Sequence, residues 1–100
     1  MSTEFAIWPA INPTAEEAYW REAYRREPYY RADLDYDDYG PAYRVGYTGP
    51  MRREGEFETL EGDLKDDFQR VRGRSRLHWE EAREAARAAW RRATRSDHPG

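Results

Sequence analysis

This chain has to build its interior from rings. Only eight of its 100 residues are Leu, Ile or Val, against fifteen Phe, Trp or Tyr and thirteen Ala. Trp and Tyr bury a large area each, but every phenol or indole keeps a polar atom that wants a partner or water. The fold must therefore set rings against alanine-lined surfaces and still satisfy those polar tips. A mean hydropathy of −1.23 points the same way. The net charge of −3 is too small for self-repulsion to hold the chain open, and 100 residues suffice for one small domain.

Several chemistries are excluded at this stage. With no cysteine there is no disulfide framework, no thiol nucleophile and no thiolate metal site. No apolar run approaches the length of a membrane span. The opening "MSTEFAIWPAINP" lacks a basic start and a long enough apolar core for a signal peptide. The expectation is a cytoplasmic protein with no membrane-embedded part.

Residues 1–13 read as an apolar arm, with Phe5, Ile7, Trp8 and Ile11 between prolines that prevent a regular helix. A single helical domain is expected over 14–95, followed by a tail at 96–100. Thr14 and Glu17 stand at capping-box spacing ahead of a helix over 15–26, and Pro28 disfavours helical backbone before it. On that helix Tyr19, Trp20, Ala23 and Tyr24 share a face. All eight tyrosines fall between Tyr19 and Tyr47. Tyr36, Tyr39, Tyr43 and Tyr47 keep helical spacing, but Gly40-Pro41 breaks into it, which predicts one short or kinked helix in an irregular Tyr/Pro/Gly-rich segment. Residues 48–56 read as a loop.

The C-terminal half is more regular. Leu60, Leu64, Phe68 and Val71 give an amphipathic helix over 59–72, capped by Thr59, weakened by Gly62 and ended by Gly73. A second helix spans 75–95 with Ser75 as its cap. Trp79, Ala82, Ala86, Trp90 and Ala93 lie on one side of it, the two indoles close to three whole turns apart. The short link at Gly73 predicts an αα-hairpin. The fold class is all-α.

The stretch "DLDYDDYGPAYR" places Asp33, Asp35 and Asp37 on alternate positions, as in a calcium loop. Counted from Asp33, the sixth position is Asp38 where a glycine belongs, and the twelfth is Arg44 where a bidentate glutamate belongs. These acids are expected to cap a helix and to pair with Arg31 and Arg44. His78 and Glu81, three residues apart, are too few for a structural metal site, and His98 lies in the tail. The serines, Ser2, Ser75 and Ser96, occupy no nucleophile setting. Adjacent acids such as Asp37-Asp38 and Asp66-Asp67 diverge on a helix. No cofactor, metal or small-molecule substrate is predicted.

Sixteen of the seventeen basic residues are arginine, the exception being Lys65. Arginine pairs bidentately with carboxylates and stacks on rings. Residues 70–95 hold nine Arg against three Glu, so a basic C-terminal segment faces an acidic remainder. Charge-complementary packing follows. The competing reading is phosphate contact by Arg70, Arg72, Arg74 and Arg76 in "QRVRGRSR", with aromatics available for base stacking.

The order "AYWREAYRREPYY", "YDDYGPAYRVGY", "DLKDDFQRVRGRSRLHWEEAREAARAAW" resembles a family of small hydrophilic, Tyr/Trp-rich bacterial proteins sharing the pattern YWR…PYY…YDDYxPAYRxG…SxLxW…AW. The likeness covers about residues 19–92. This chain departs from it at Val45, where the family usually carries an aromatic. The resemblance implies a protective or assembly role linked to stress and transfers no site.

Together these features lead to the expectation of a non-enzymatic interaction or assembly protein, a homo-oligomer or the partner of another protein. It would associate through aromatic faces and Arg–carboxylate pairs. The residues singled out for interface or packing are Trp8, Trp20, Tyr24, Tyr36, Tyr39, Tyr43, Trp79 and Trp90. The alternative is a nucleic-acid-binding module.

Overall fold

The structure, a computed structural model, describes residues 11–95. It is all-α, as the periodicities predict. The helices are α1 (Pro13–Ala23), α2 (Tyr36–Arg52), α3 (Phe57–Val71) and α4 (Trp79–Arg95), with a 3₁₀ turn at Tyr24–Arg26. Most of the arm, Trp8 included, and the tail with His98 lie outside the described residues. Ile11, at the arm's end, packs partly buried against the core.

The seam between α2 and α4 organises the molecule. A Cβ added at Gly46 would lie 2.2 Å from the Ala86 carbonyl oxygen, and one at Gly49 would lie 2.5 Å from the Trp90 ring. Ala42 of α2 and Ala82, Ala85, Ala86, Ala89 and Ala93 of α4 are all fully buried. Small side chains on both helices thus bring the backbones together, as the alanine-rich sequence of α4 requires.

Rings close the remaining space. Trp20 of α1 stacks on Tyr43 of α2, with centroids 4.4 Å apart and planes 12° from parallel. Tyr24 meets Tyr30 and Tyr36 edge-on, both at 5.5 Å. On the other side Trp90 meets Phe57 edge-on and Trp79 lies tilted against Phe68, each at 5.8 Å. Several polar tips find partners: the Tyr29 and Tyr43 hydroxyls lie 2.8 Å apart, and Tyr39 Oη accepts the Arg31 amide proton at 3.0 Å, whereas the buried Trp20 Nε1 has no partner among the described residues.

Several local expectations are corrected. Gly40-Pro41 does not shorten or interrupt the helix: α2 runs seventeen residues through both Pro41 and Pro50, so residues 48–52 are helix and the link is short. A proline inside a helix costs about 3 kcal/mol. Here Tyr39, Ala42, Tyr43, Val45, Gly46 and Tyr47 are all buried along that helix, and their packing outweighs the cost. The α1 cap is Asn12, whose Oδ1 accepts the Ala15 amide proton at 3.2 Å, with Pro13 in the first turn; it is not Thr14. Thr59 is no cap either, because α3 starts two residues earlier, after Glu56.

Ser75 does not cap α4. Its hydroxyl donates to the Asp38 carbonyl at 2.6 Å and accepts from the Leu77 amide, so residues 75–77 tie α2 to the link and α4 begins at Trp79. Val71, placed on the apolar face of α3 by spacing, is 47% exposed. Gly73 does end that helix, with φ at +53° in the left-handed region that glycine accepts readily.

Candidate functional site

The acidic stretch is used for capping and pairing. Asp35 caps α2, its side chain accepting the Asp37 amide proton at 3.0 Å, while Asp38 reaches back to the Asp35 amide at 3.0 Å to complete a capping box. Asp38 is 2% exposed and takes two bonds from the Arg76 guanidinium, at 2.7 and 3.0 Å. Hydrogen bonds from Arg76 hold its carboxyl far below the usual carboxylate range, against the opposing effect of burial. Asp33 pairs with Arg31 at 3.0 Å and Asp37 with Arg74 at 3.2 Å. The pairing expected for Arg44 is absent: it makes no ion pair with another described residue. No group of three or more His, Asp or Glu among the described residues is placed to hold a metal.

Charge-complementary packing extends across the fold. Arg83 Nε holds Glu61 at 2.6 Å and its Nη2 reaches the other carboxylate oxygen at 2.9 Å, while the Trp79 indole donates to the same side chain at 2.9 Å. The Arg83 bonds, then the Trp79 bond, lower Glu61 to about 2. Arg87 meets Glu58 at 2.8 Å, giving α3 and α4 a second bridge, and Arg92 of α4 meets the buried Glu16 of α1 at 3.2 Å. Arg31 also bonds Glu81. Asp67, 5% exposed, sits between Arg53 and Arg70; burial works to raise its carboxyl, and the two guanidiniums outweigh that and lower it.

Of the residues singled out for interface or packing, Trp20, Tyr24, Tyr39, Tyr43, Trp79 and Trp90 are all buried within the chain, each at most 7% exposed. Tyr36 is half-buried. The four arginines proposed for nucleic acid each have an internal partner. Arg70 bonds Asp67, Arg74 bonds Asp37 and Arg76 clamps Asp38. Arg72 donates to the carbonyls of Ser75 and Leu77, at 3.3 and 2.5 Å.

The notable surface lies on the flank of α2 turned away from α4. Around a helix, residues 40, 44, 47 and 51 fall opposite 42, 46 and 49. Three adjoining clefts of about 330, 400 and 190 Å³ run along that flank, between α1 on one side and the C-terminal end of α3 on the other, and Arg44 lines all three. Six arginines line the combined groove, Arg21, Arg44, Arg52, Arg70, Arg72 and Arg74, against three carboxylates, Glu17, Asp37 and Asp67. It is a cationic strip on a chain of net charge −3.

Arg44 and Arg52 are exposed and form no ion pair with another described residue. Arg21 pairs with Glu17 at 2.7 Å and lies 4.5 Å over the Tyr36 ring, whose hydroxyl burial pushes up to about 12. Met51 and Val71 in the groove are two of the three exposed large apolar side chains among the described residues. The sequence reading singled out Arg70, Arg72 and Arg74, as a linear nucleic-acid run, but not the groove, because its other cations come from α1 and α2. Arg44 and Met51, two helical turns apart on one face beside the tyrosine stripe, were the available signal.

No helix among the described residues is long and apolar enough to cross a membrane. Compared with protein-family models, with curated proteins and with solved structures, the chain finds no match.

Proposed function

We propose that this protein is a non-enzymatic, cytoplasmic interaction protein that associates with another macromolecule through the arginine groove along α2. What carries the reading is the pair Arg44 and Arg52, exposed on a helix whose opposite flank is packed without spare volume and unneutralised by any described carboxylate. A guanidinium left over where most of its neighbours are paired is available to a carboxylate or phosphate from outside. The strongly shifted carboxyls Asp38 and Glu61 are occupied in pairs that join helices, which favours binding over acid–base chemistry at this surface. With six of the singled-out rings in the interior, Arg–carboxylate pairing, rather than ring stacking, drives the association.

The test is the mass of the particle in solution across a concentration range, alone and with acidic peptides or nucleic acid. A mass that rises above 11.9 kDa, and returns to it in the Arg44→Glu/Arg52→Glu double variant, supports the reading. A mass that stays there with every polymer offered sinks it.

A further inference from the structure

Resting on that reading, we infer that the groove seats an acidic, amphipathic helical segment supplied by a different protein. From Gly40 to Arg52 the floor rises about 18 Å, which matches a helix of roughly 12–14 residues lying along it. Cations border it on both sides, Arg21 from α1 and, opposite, Arg70 from the last turn of α3 with Arg72 and Arg74 from the link after it, and Arg44 stands at the centre. Carboxylates three and four residues apart on one side of a docked helix would reach these guanidiniums. Met51 and Val71, 49% and 47% exposed, offer apolar contact beside the charges, so leucines on the same helix would anchor it.

Two other occupants fit less well. A single nucleic-acid strand needs free ring faces on which bases can stack. In the groove Tyr47 is 4% exposed and the Tyr36 face is covered by Arg21, while outside it Arg92 covers Tyr19 at 3.7 Å. A second copy of this chain lacks a suitable segment among its described residues. The acids of α3 share their helix with Leu64 and Phe68, which are fully buried, and the apolar face of α4 is likewise turned inward.

The experiment uses the full chain and a panel of 14-residue synthetic helical peptides. One set carries Glu and Leu on a single side of the helix. A second has the same composition scrambled around the helix, and a third replaces Glu with Lys. A single-stranded oligonucleotide of equal charge completes the set. Binding is read by fluorescence anisotropy and by amide shift mapping.

The expected result is that the first set binds best, more weakly as salt rises, and shifts the amides of Gly40, Thr48 and Gly73. Arg44→Glu should weaken it by about tenfold or more while the thermal midpoint stays unchanged. Met51→Asp, on the same exposed flank, should weaken it independently. Equal binding of the scrambled set, preference for the Lys set or the oligonucleotide, shifts confined to α4, or no binding of the first set overturns this inference. The wider reading falls separately, if no association occurs at all or if none of it depends on Arg44 and Arg52.

Discussion

At Gly46 a single methyl group decides whether two helices can meet. Its added Cβ would face a backbone carbonyl at 2.2 Å, an atom that cannot swing aside as a side chain tip can. Gly46→Ala should therefore destabilise the protein by about 1–3 kcal/mol or more, the range for an overfilled core. Gly62 has no neighbour within 4 Å of its virtual Cβ, and there alanine should stabilise by about 0.8–1.0 kcal/mol through helix propensity alone. Urea unfolding of the two variants should give midpoints shifted in opposite directions. A second asymmetry lies in the paired hydroxyls of Tyr29 and Tyr43. Tyr43 is fully buried and Tyr29 only partly. Tyr29→Phe strands a buried hydroxyl and should cost about 1–3 kcal/mol. Tyr43→Phe leaves Tyr29 free to bond water and should cost less, as the same unfolding measurement would report.

At the scale of elements, Glu61 is one of the ties between α3 and α4, held by Arg83 and Trp79. A carboxylate kept ionised by the fold adds stability above its unfolded value and loses it as protons arrive. Its ordinary value is 4.5 and its folded value about 2, so stability should fall as pH drops between them. Glu61→Gln should flatten part of that decline in acid titrations followed by circular dichroism. The helices themselves were largely legible in the sequence, because the stripe from Tyr36 to Tyr47 and the face from Trp79 to Ala93 repeat at the helical period. Their ends were not. Asn12 was passed over for a better-known capping pattern, and Ser75 met the compositional rule for a cap while its hydroxyl was engaged across the fold by Asp38. Gly40-Pro41 misled for a related reason: a local propensity of a few kcal/mol cannot be weighed without knowing that the surrounding turns are buried.

For the whole molecule, the tyrosine cluster joins α1, the 24–30 segment and α2 into one buried unit. Burial pushes the Tyr29, Tyr43 and Tyr36 hydroxyls upward, the last to about 12 from an ordinary 10.0. The unfolded chain releases these protons first, so stability is complete below pH 10 and should decline as pH rises towards 12. The phenolate absorbance of the buried tyrosines should then appear together with loss of helix, not before it; their ionisation in a still-helical protein would contradict their placement. The core was legible as a class, rings against alanine, and the indoles of Trp79 and Trp90 are indeed inside. The groove was not, because which arginines remain unneutralised depends on which acids the fold brings to the others.

The seam at Gly46 and Gly49 also has an evolutionary side. One edge of α2 tolerates no added atom, while on the opposite side Arg44 and Met51 are exposed and touch little of the interior. Mutation can therefore rewrite the chemistry of the outer edge without disturbing how the inner edge folds, so the surface can diverge while the scaffold stays the same.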